Sequence, residues 1–217
     1  MLPIQDLVDG FRRFQAQYIS AENALFDQLK DGQRPSTLVI GCSDSRVDPL
    51  MLLGGEPGDL FVVRNIANLV PPCEDPRHDS HHSVSAALEF SVLELNVKRI
   101  IVLGHGCCGG IRALMEHDEA SHSQGFVGKW LSIAEPARDY VRRHYAHADH
   151  ETQVAQAERA SILVSLDNLL TFPWVAERVA QQQLALHGWY FDLRDGGLYC
   201  FDRQVGSFVP LVPGCVV

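Results

Sequence analysis

The chain has 217 residues, of which 46% are apolar and 21% charged, enough for one domain with a hydrophobic core. Its formal net charge is −9 and its basic residues are scattered, so neither nucleic acid nor a membrane surface is expected as a partner. The N-terminus lacks the basic segment of a secretory signal, and no run reaches the ~18 apolar residues that span a bilayer. We expect a cytoplasmic protein.

Apolar and aromatic residues recur at helical spacing between Ile4 and Leu29. They predict two helices, or one bent helix that breaks near Ser20. So many aromatic residues on an N-terminal arm, residues 1–30, need a surface to cover. That surface is either the sheet of the same chain or a partner subunit.

Short apolar runs alternate with helical patterns along the rest of the chain. Strands are predicted at 37–42, 60–65, 98–104 and 184–193, with a hairpin strand at 197–202. Helices are predicted at about 79–95, 108–117, 127–145, 151–170 and 173–183, and residues 209–217 are expected to be extended. This alternation predicts an α/β fold. We expect a mainly parallel sheet of four strands in the order 2-1-3-4, an added antiparallel strand, and helices on both faces.

Soft metal ligands follow two of the predicted strands. Cys42 ends the first strand, and His105 and Cys108 follow the third. If the two strands are neighbours, these side chains meet where strand ends bind ligands in α/β sheets. Two thiolates and one imidazole form the Cys2His set of a catalytic zinc site, which keeps its fourth position open.

Asp44 and Arg46 lie in the same loop as Cys42. Asp44 is expected either to accept a hydrogen bond from zinc-bound hydroxide or to occupy the fourth position itself. The spacing lets the Arg46 guanidinium form a bidentate pair with the Asp44 carboxylate and keep it ionised.

Cys107 is expected to point away from Cys108. The other cysteines are interpreted as free thiols, and eight other histidines as solvated side chains without a role: Cys73, Cys200, Cys215, His78, His81, His82, His117, His122, His144, His147 and His150.

Over nearly its whole length the chain resembles the β-class carbonic anhydrases. The resemblance is carried by Cys-Ser-Asp-Ser-Arg-Val at 42–47, Leu-Phe-Val-Val-Arg-Asn-Ile-Ala-Asn at 60–68 and Ser-Val-Ser-Ala-Ala-Leu-Glu-Phe at 83–90. Further matches are Gly-His at 104–105, Cys-Gly-Gly at 108–110 and Leu-His-Gly-Trp at 186–189.

The resemblance implies a single β-carbonic anhydrase domain over residues 1–217. It implies one zinc ion per subunit, held by Cys42, His105 and Cys108, with Asp44 and Arg46 as the catalytic dyad. The implied reaction is reversible hydration of CO2 to bicarbonate and a proton, through zinc-bound hydroxide. The implied substrate contacts are Gln33, Phe61, Ile66 and Phe90. The resemblance also implies a homodimer or homotetramer in which the N-terminal arm packs on a partner subunit.

Two positions depart from one branch of the family. Members closed by a regulatory bicarbonate pocket carry Trp and Tyr where this chain has Val39 and Phe191, although Arg64 is retained. We therefore expect no such pocket, and an open site with Asp44 off the metal near neutral pH. The alternatives are a carbon disulfide or carbonyl sulfide hydrolase on the same fold, and a non-catalytic zinc-binding module.

Overall fold

A six-stranded sheet in the order β2-β1-β3-β4-β5-β6 forms the centre of the computed structural model, which describes residues 2–20, 25–74, 83–116, 125–212 and 214. The strands are β1 (Thr37–Cys42), β2 (Leu60–Asn65), β3 (Arg99–His105), β4 (Ala185–Phe191), β5 (Leu198–Asp202) and β6 (Ser207–Val212). Neighbouring strands from β2 through β4 are parallel, and β5 and β6 are antiparallel additions. The predicted order and the added antiparallel strand are confirmed. The sheet also has a sixth strand, formed by part of the segment expected to be extended.

Nine α-helices lie within the described residues. They are α1 (Ile4–Tyr18), α2 (Leu25–Leu29), α3 (Pro49–Leu52), α4 (Ser83–Glu89), α5 (Gly109–Glu116), α6 (Phe126–Leu131), α7 (Glu135–His144), α8 (His150–Leu169) and α9 (Pro173–Ala180). None of these helices is long and apolar enough to cross a membrane.

Two predicted helices differ from the structure. The helix predicted from about residue 79 to 95 is α-helical from Ser83 to Glu89 and then turns π-helical over Phe90–Glu94. Its predicted start lies outside the described residues. The continuous helix predicted at 127–145 is divided into α6 and α7 by a 3₁₀ turn at Ser132–Ala134. Pro136 explains this division, because proline has no N–H to donate and its ring clashes with the preceding helical turn.

Helices α4 and α8 cover one face of the sheet. Their buried side chains pack with Leu38, Ile40, Ile100 and Val102 of the central strands. The opposite face buries Val39, Ile101 and Leu103, which pack against partly buried residues that include Leu53 at the end of α3. The central strands are therefore apolar on both faces, as parallel strands require.

The close approach of α8 to the sheet depends on two glycines. A methyl carbon at position 104 of β3 would lie 2.6 Å from Ile162 Cδ1, and one at position 188 of β4 would lie 2.8 Å from Ile162 Cγ2. Ile162 is fully buried. Because both strands lack a side chain there, α8 lies close to the strand that ends in His105.

The N-terminal helices form a separate aromatic arm. The Phe14 ring lies 5.0 Å from the Tyr18 ring and 5.6 Å from the Phe26 ring, so α1 and α2 pack on each other. The α1 helix buries none of its residues against the described part of the chain. Its exposed apolar side chains include Leu7 and Phe11.

Candidate metal centre

Strands β1 and β3 bring three metal-binding side chains together. The two strands are parallel neighbours, so Cys42 at the end of β1 and His105 at the end of β3 lie at the same edge of the sheet. Cys108 joins them from the turn that leads into α5. One Sγ or imidazole nitrogen from each residue lies within 4.8 Å of the other two, and all three residues are buried.

The protonation of these side chains is coupled through their proximity. The adjacent Cys108 thiol lowers the pKa of Cys42 to about 4, with help from His105 and against the effect of burial. The neighbouring Cys42 and burial raise the pKa of Cys108. Burial lowers the pKa of His105, but the Cys42 side chain and the Gly106 carbonyl outweigh it, so the pKa is raised overall. Cys42 is thus already favoured as a thiolate.

The donor set fits a zinc ion. His105 Nδ1 lies 2.9 Å from the Gly106 carbonyl oxygen, which fixes the ring. His105 Nε2 is buried and has no hydrogen-bond partner among the described residues. Buried polar atoms normally have a partner, so this nitrogen beside two sulfurs is suited to a metal ligand. The structure thus assembles the predicted Cys2His set.

Asp44 is held by Arg46 beside this centre. Asp44 Oδ1 accepts hydrogen bonds from Arg46 N at 3.0 Å and Nε at 2.9 Å, and Oδ2 accepts one from Nη2 at 2.7 Å. The Arg46 guanidinium therefore holds the pKa of the Asp44 carboxyl well below its usual range, although partial burial opposes this. Asp44 remains an ionised acceptor near neutral pH.

Arg64 fixes the backbone of the same loop. Its Nε donates to the Cys42 carbonyl at 2.9 Å, and its Nη2 donates to the Asp44 carbonyl at 2.7 Å. Its Nη1 pairs with Asp48 Oδ2 at 2.8 Å, and Asp48 Oδ1 caps α3 by accepting from Leu50 N. The sequence alone did not show this role, although Arg64 lies opposite Gly41 in the β1–β2 register.

The peptide group between Cys107 and Cys108 is held at both ends. Arg46 Nη2 donates to the Cys107 carbonyl at 3.1 Å, and Cys108 N donates to Glu158 Oε1 at 2.9 Å. Cys107 adopts a left-handed backbone with φ of 58°. It is half-buried and lies outside the three-residue group, whereas Cys108 lies within it.

Sequence reasoning missed Glu158 and Tyr190. Glu158 is 2% exposed on α8, and its Oε2 accepts a hydrogen bond from the fully buried Tyr190 hydroxyl at 2.9 Å. Burial raises the pKa of Glu158, against the hydrogen bonds from Cys108 N and Tyr190. The sequence did contain one signal, because Glu158 lies on the same face of α8 as Val154 and Ala157. A carboxylate on a buried face is rarely without partners, so this position could have been recognised as one that is held by polar contacts.

The four residues predicted to contact the substrate differ in solvent exposure and in their neighbours. The Phe61 and Phe90 rings are 5.9 Å apart, and Phe90 is 45% exposed. Ile66 is 42% exposed and lies against the start of α5, where a methyl carbon at position 110 would lie 2.9 Å from Ile66 Cγ2. Gln33 is exposed in the turn before β1. This chain therefore brings Phe61 next to Phe90 and places Ile66 against Gly110, two positions after Cys108 in the sequence.

Where the structure describes them, the other predicted free thiols and solvated histidines are not part of the three-residue group. Cys73 and Cys200 are half-buried free thiols, as predicted. His144 Nδ1 lies 2.8 Å from the Tyr140 carbonyl oxygen, and His150 Nε2 lies 3.4 Å from Glu116 Oε1. His147 is exposed in the turn between α7 and α8. Five of the histidines and one cysteine fall outside the described residues: His78, His81, His82, His117, His122 and Cys215.

Comparison with known proteins assigns the family. The model of a carbonic anhydrase family, Pro_CA, matches residues 37–198. The chain is 44% identical over 190 residues to "Beta carbonic anhydrase 5, chloroplastic" of Arabidopsis thaliana, covering 88% of this chain and 62% of the relative. The chain therefore spans less than two thirds of that relative. It belongs to the β-carbonic anhydrase family.

Solved structures share the fold. The β-carbonic anhydrase CcaA superposes with a TM-score of 0.86 at 35% identity, over 95% of this chain and 98% of that one. One of two β-carbonic anhydrases described as tetrameric, from the filamentous ascomycete Sordaria macrospora, superposes with a TM-score of 0.70 at 28% identity. That match covers 98% of this chain and 95% of the other.

Proposed function

We propose that this protein is a zinc-dependent carbonic anhydrase that catalyses the reversible hydration of CO2 to bicarbonate and a proton. The observation that carries the proposal is the buried group of Cys42, His105 and Cys108, with ionised Asp44 beside it, in a chain of this family. The three side chains would hold one zinc ion per subunit. When bound, the ion would act as a Lewis acid that lowers the pKa of a coordinated water, so that hydroxide is available near neutral pH.

The Asp44–Arg46 dyad would orient the nucleophile. An ionised carboxylate only accepts hydrogen bonds, so Asp44 would accept one from the attacking oxygen and direct its lone pair toward the substrate. Arg46 occupies both Asp44 oxygens with its own donors, which holds the carboxylate in a fixed position. This arrangement supports an open site with Asp44 off the metal.

The substrate wall would be apolar, because CO2 carries no net charge to bind. Phe61, Phe90 and Ile66 would supply that wall, and Gln33 would supply a polar contact. Phe90 and Ile66 are each more than 40% exposed in the single chain, which favours a site completed by a second copy. We propose a homodimer or homotetramer of this one domain, residues 1–217, with the arm packed on the partner, in the cytoplasm.

A regulatory bicarbonate pocket is not part of the proposal. Val39 is buried in an apolar cluster with Phe191 packed against it, so neither position offers a hydrogen-bond donor from its side chain. Arg64 already donates to two backbone carbonyls and pairs with Asp48. A small anion at this place would have to displace those bonds.

One set of assays separates the proposal from its alternatives. Zinc content is measured by mass spectrometry, and CO2 hydration by stopped flow from about pH 6.5 to 9, beside CS2 hydrolysis. We expect about one zinc per chain and hydration that rises with pH. Asp44→Asn should keep the zinc and lose about 10²-fold in hydration. The control Asp59→Asn, in a loop where Asp59 accepts from Glu56 N, should change neither quantity.

Each alternative has its own signature in these assays. Full zinc occupancy without hydration or CS2 hydrolysis would identify a non-catalytic zinc module. CS2 hydrolysis with negligible CO2 hydration would identify the hydrolase. Either result would refute the proposed function.

A further inference from the structure

The Cys107–Cys108 peptide group connects the two halves of the site. Its carbonyl oxygen accepts from Arg46 Nη2, and its N–H donates to Glu158 Oε1. Arg46 also holds Asp44 through its side chain. This one peptide group is therefore hydrogen-bonded on one side to Arg46, which orients Asp44, and on the other side to the buried Glu158 carboxylate of α8.

The backbone at this peptide is in a conformation that needs support. Cys107 has φ of 58°, in the left-handed region that residues with a Cβ rarely occupy. Gly106 and Gly109 lie on either side in the sequence, yet the left-handed position is held by a cysteine. Strained positions of this kind persist when surrounding contacts fix them. Here the fixing contacts are the two hydrogen bonds at the ends of the peptide.

Glu158 is well placed to provide one of those contacts. Its backbone belongs to α8, which Gly104 and Gly188 allow to pack closely against β3 and β4. Its second carboxylate oxygen accepts the hydroxyl of Tyr190, a fully buried residue of β4. The carboxylate is thus held by a helix and a strand, while the loop it supports has no regular structure.

We propose that Glu158 is a positioning residue that fixes the Cys107–Cys108 peptide, and thereby directs the Cys108 sulfur, not the Cys107 sulfur, to the metal centre. This inference rests on the zinc site proposed above. Without the acceptor, the buried Cys108 N–H has no described partner, and the left-handed turn at Cys107 loses one of its two supports. The Cys108 side chain and the Arg46 contact to the Cys107 carbonyl then lose their fixed geometry together.

The test compares two replacements of Glu158 in the zinc-loaded protein. Glu158→Gln keeps an oxygen that accepts from Cys108 N, and its amide N–H can donate to the Tyr190 hydroxyl. Glu158→Met has nearly the same length but no carboxylate. Zinc release to a chromophoric chelator should be about 10- to 100-fold faster in Glu158→Met, since supporting partners of metal ligands have effects of this size. Glu158→Gln should remain within about 3-fold of wild type, because it restores the accepted bond.

A cobalt-substituted sample supplies a second readout. The thiolate-to-cobalt absorption bands should shift in Glu158→Met and match wild type in Glu158→Gln. Ser165→Ala is the matched control. Ser165 is a buried residue on α8 whose hydroxyl accepts from Val70 N at 3.2 Å, away from the loop. Its loss should lower stability but leave zinc release and the cobalt spectrum unchanged.

A third comparison uses the strained residue itself. Glycine adopts positive φ without penalty, so Cys107→Gly should reduce the acceleration of zinc release that Glu158→Met causes. If Glu158→Met does not fold, Tyr190→Phe decides, because it removes only the donor to Glu158 Oε2. It should accelerate zinc release by a factor of about 2 to 10, less than the full loss of a supporting partner.

The outcomes separate this inference from the proposed function. If wild type binds zinc and Glu158→Met releases zinc at the wild-type rate, the inference is overturned while the proposed function stands. If Glu158→Met does not fold, the same conclusion follows from a wild-type rate in Tyr190→Phe. Release from Glu158→Gln as fast as from Glu158→Met would also overturn it, because the accepted hydrogen bond would not be the cause. Wild-type protein that binds no zinc would refute the proposed function and this inference with it.

Discussion

Ile162 packs over Gly104 and Gly188, and this contact sets the distance between α8 and the strand that carries His105. A methyl carbon at position 104 would lie 2.6 Å from Ile162 Cδ1 and 2.8 Å from Cγ1, well inside normal van der Waals contact. Ile162 is fully buried, so it has no free space into which it can move. Gly104→Ala is therefore an overpacking substitution at the metal centre.

The size of the effect follows from which atoms collide. Gly104→Ala should lower the free energy of unfolding by about 1–3 kcal/mol, the usual cost of forcing a methyl group into a packed core. Ile162→Val alone should cost about 0.5–1.5 kcal/mol. Valine lacks the Cδ1 atom that lies nearest to the new methyl group. The double variant should therefore be more stable than the sum of the single effects predicts, by about 1 kcal/mol.

Urea unfolding of the four proteins at one fixed concentration measures this coupling, since oligomer formation makes stability depend on concentration. Gly10→Ala is the control for the glycine-to-alanine change. Gly10 lies inside α1, where the added methyl group meets only Arg13 Nη2 at 3.7 Å. That control should be neutral or stabilising by up to about 1 kcal/mol. Additive effects of Gly104→Ala and Ile162→Val would refute the packing argument.

Four further outcomes are expected. Arg46→Lys keeps the charge but cannot fork onto Asp44, so CO2 hydration should fall about 10- to 100-fold with zinc retained; loss of zinc would contradict this. Asp48→Asn weakens the α3 cap and the Arg64 pair, so urea unfolding should show a loss of about 0.5–2 kcal/mol; an unchanged midpoint would contradict it. Phe90→Ala should raise KM for CO2 in stopped flow more than it lowers kcat, and the reverse would place Phe90 outside the substrate wall. Deletion of residues 2–20 should reduce the number of subunits per particle, calculated from the mass measured by light scattering. An unchanged number of subunits would refute packing of the arm on a partner.

The sheet and the ligand set were predictable because their signals are local. Each central strand is a short apolar run, and two of these runs end in a cysteine and a histidine, Cys42 and His105, residue types that zinc favours as ligands. Parallel pairing then places the two strand ends together without further information. The boundaries of β1 and β2 agree with the prediction to the residue.

The supporting contacts were not predictable, because they join distant parts of the chain. Glu158 lies 50 positions after Cys108, and only the packing of α8 on the sheet brings the two together. Arg64 acts on backbone carbonyls of the β1 loop, which carry no signal in a sequence. The break between α6 and α7 had a local signal in Pro136, which the periodicity of the apolar residues concealed.

We propose that Cys42, His105 and Cys108 hold a zinc ion at which CO2 is hydrated. Zinc content and CO2 hydration, measured on the same samples of wild type, Cys108→Ser and Cys107→Ser, test this assignment. We expect about one zinc per wild-type chain. Cys108→Ser should lose both zinc and hydration, and Cys107→Ser should keep both. Zinc and activity retained in Cys108→Ser, or lost in Cys107→Ser, would contradict the assignment.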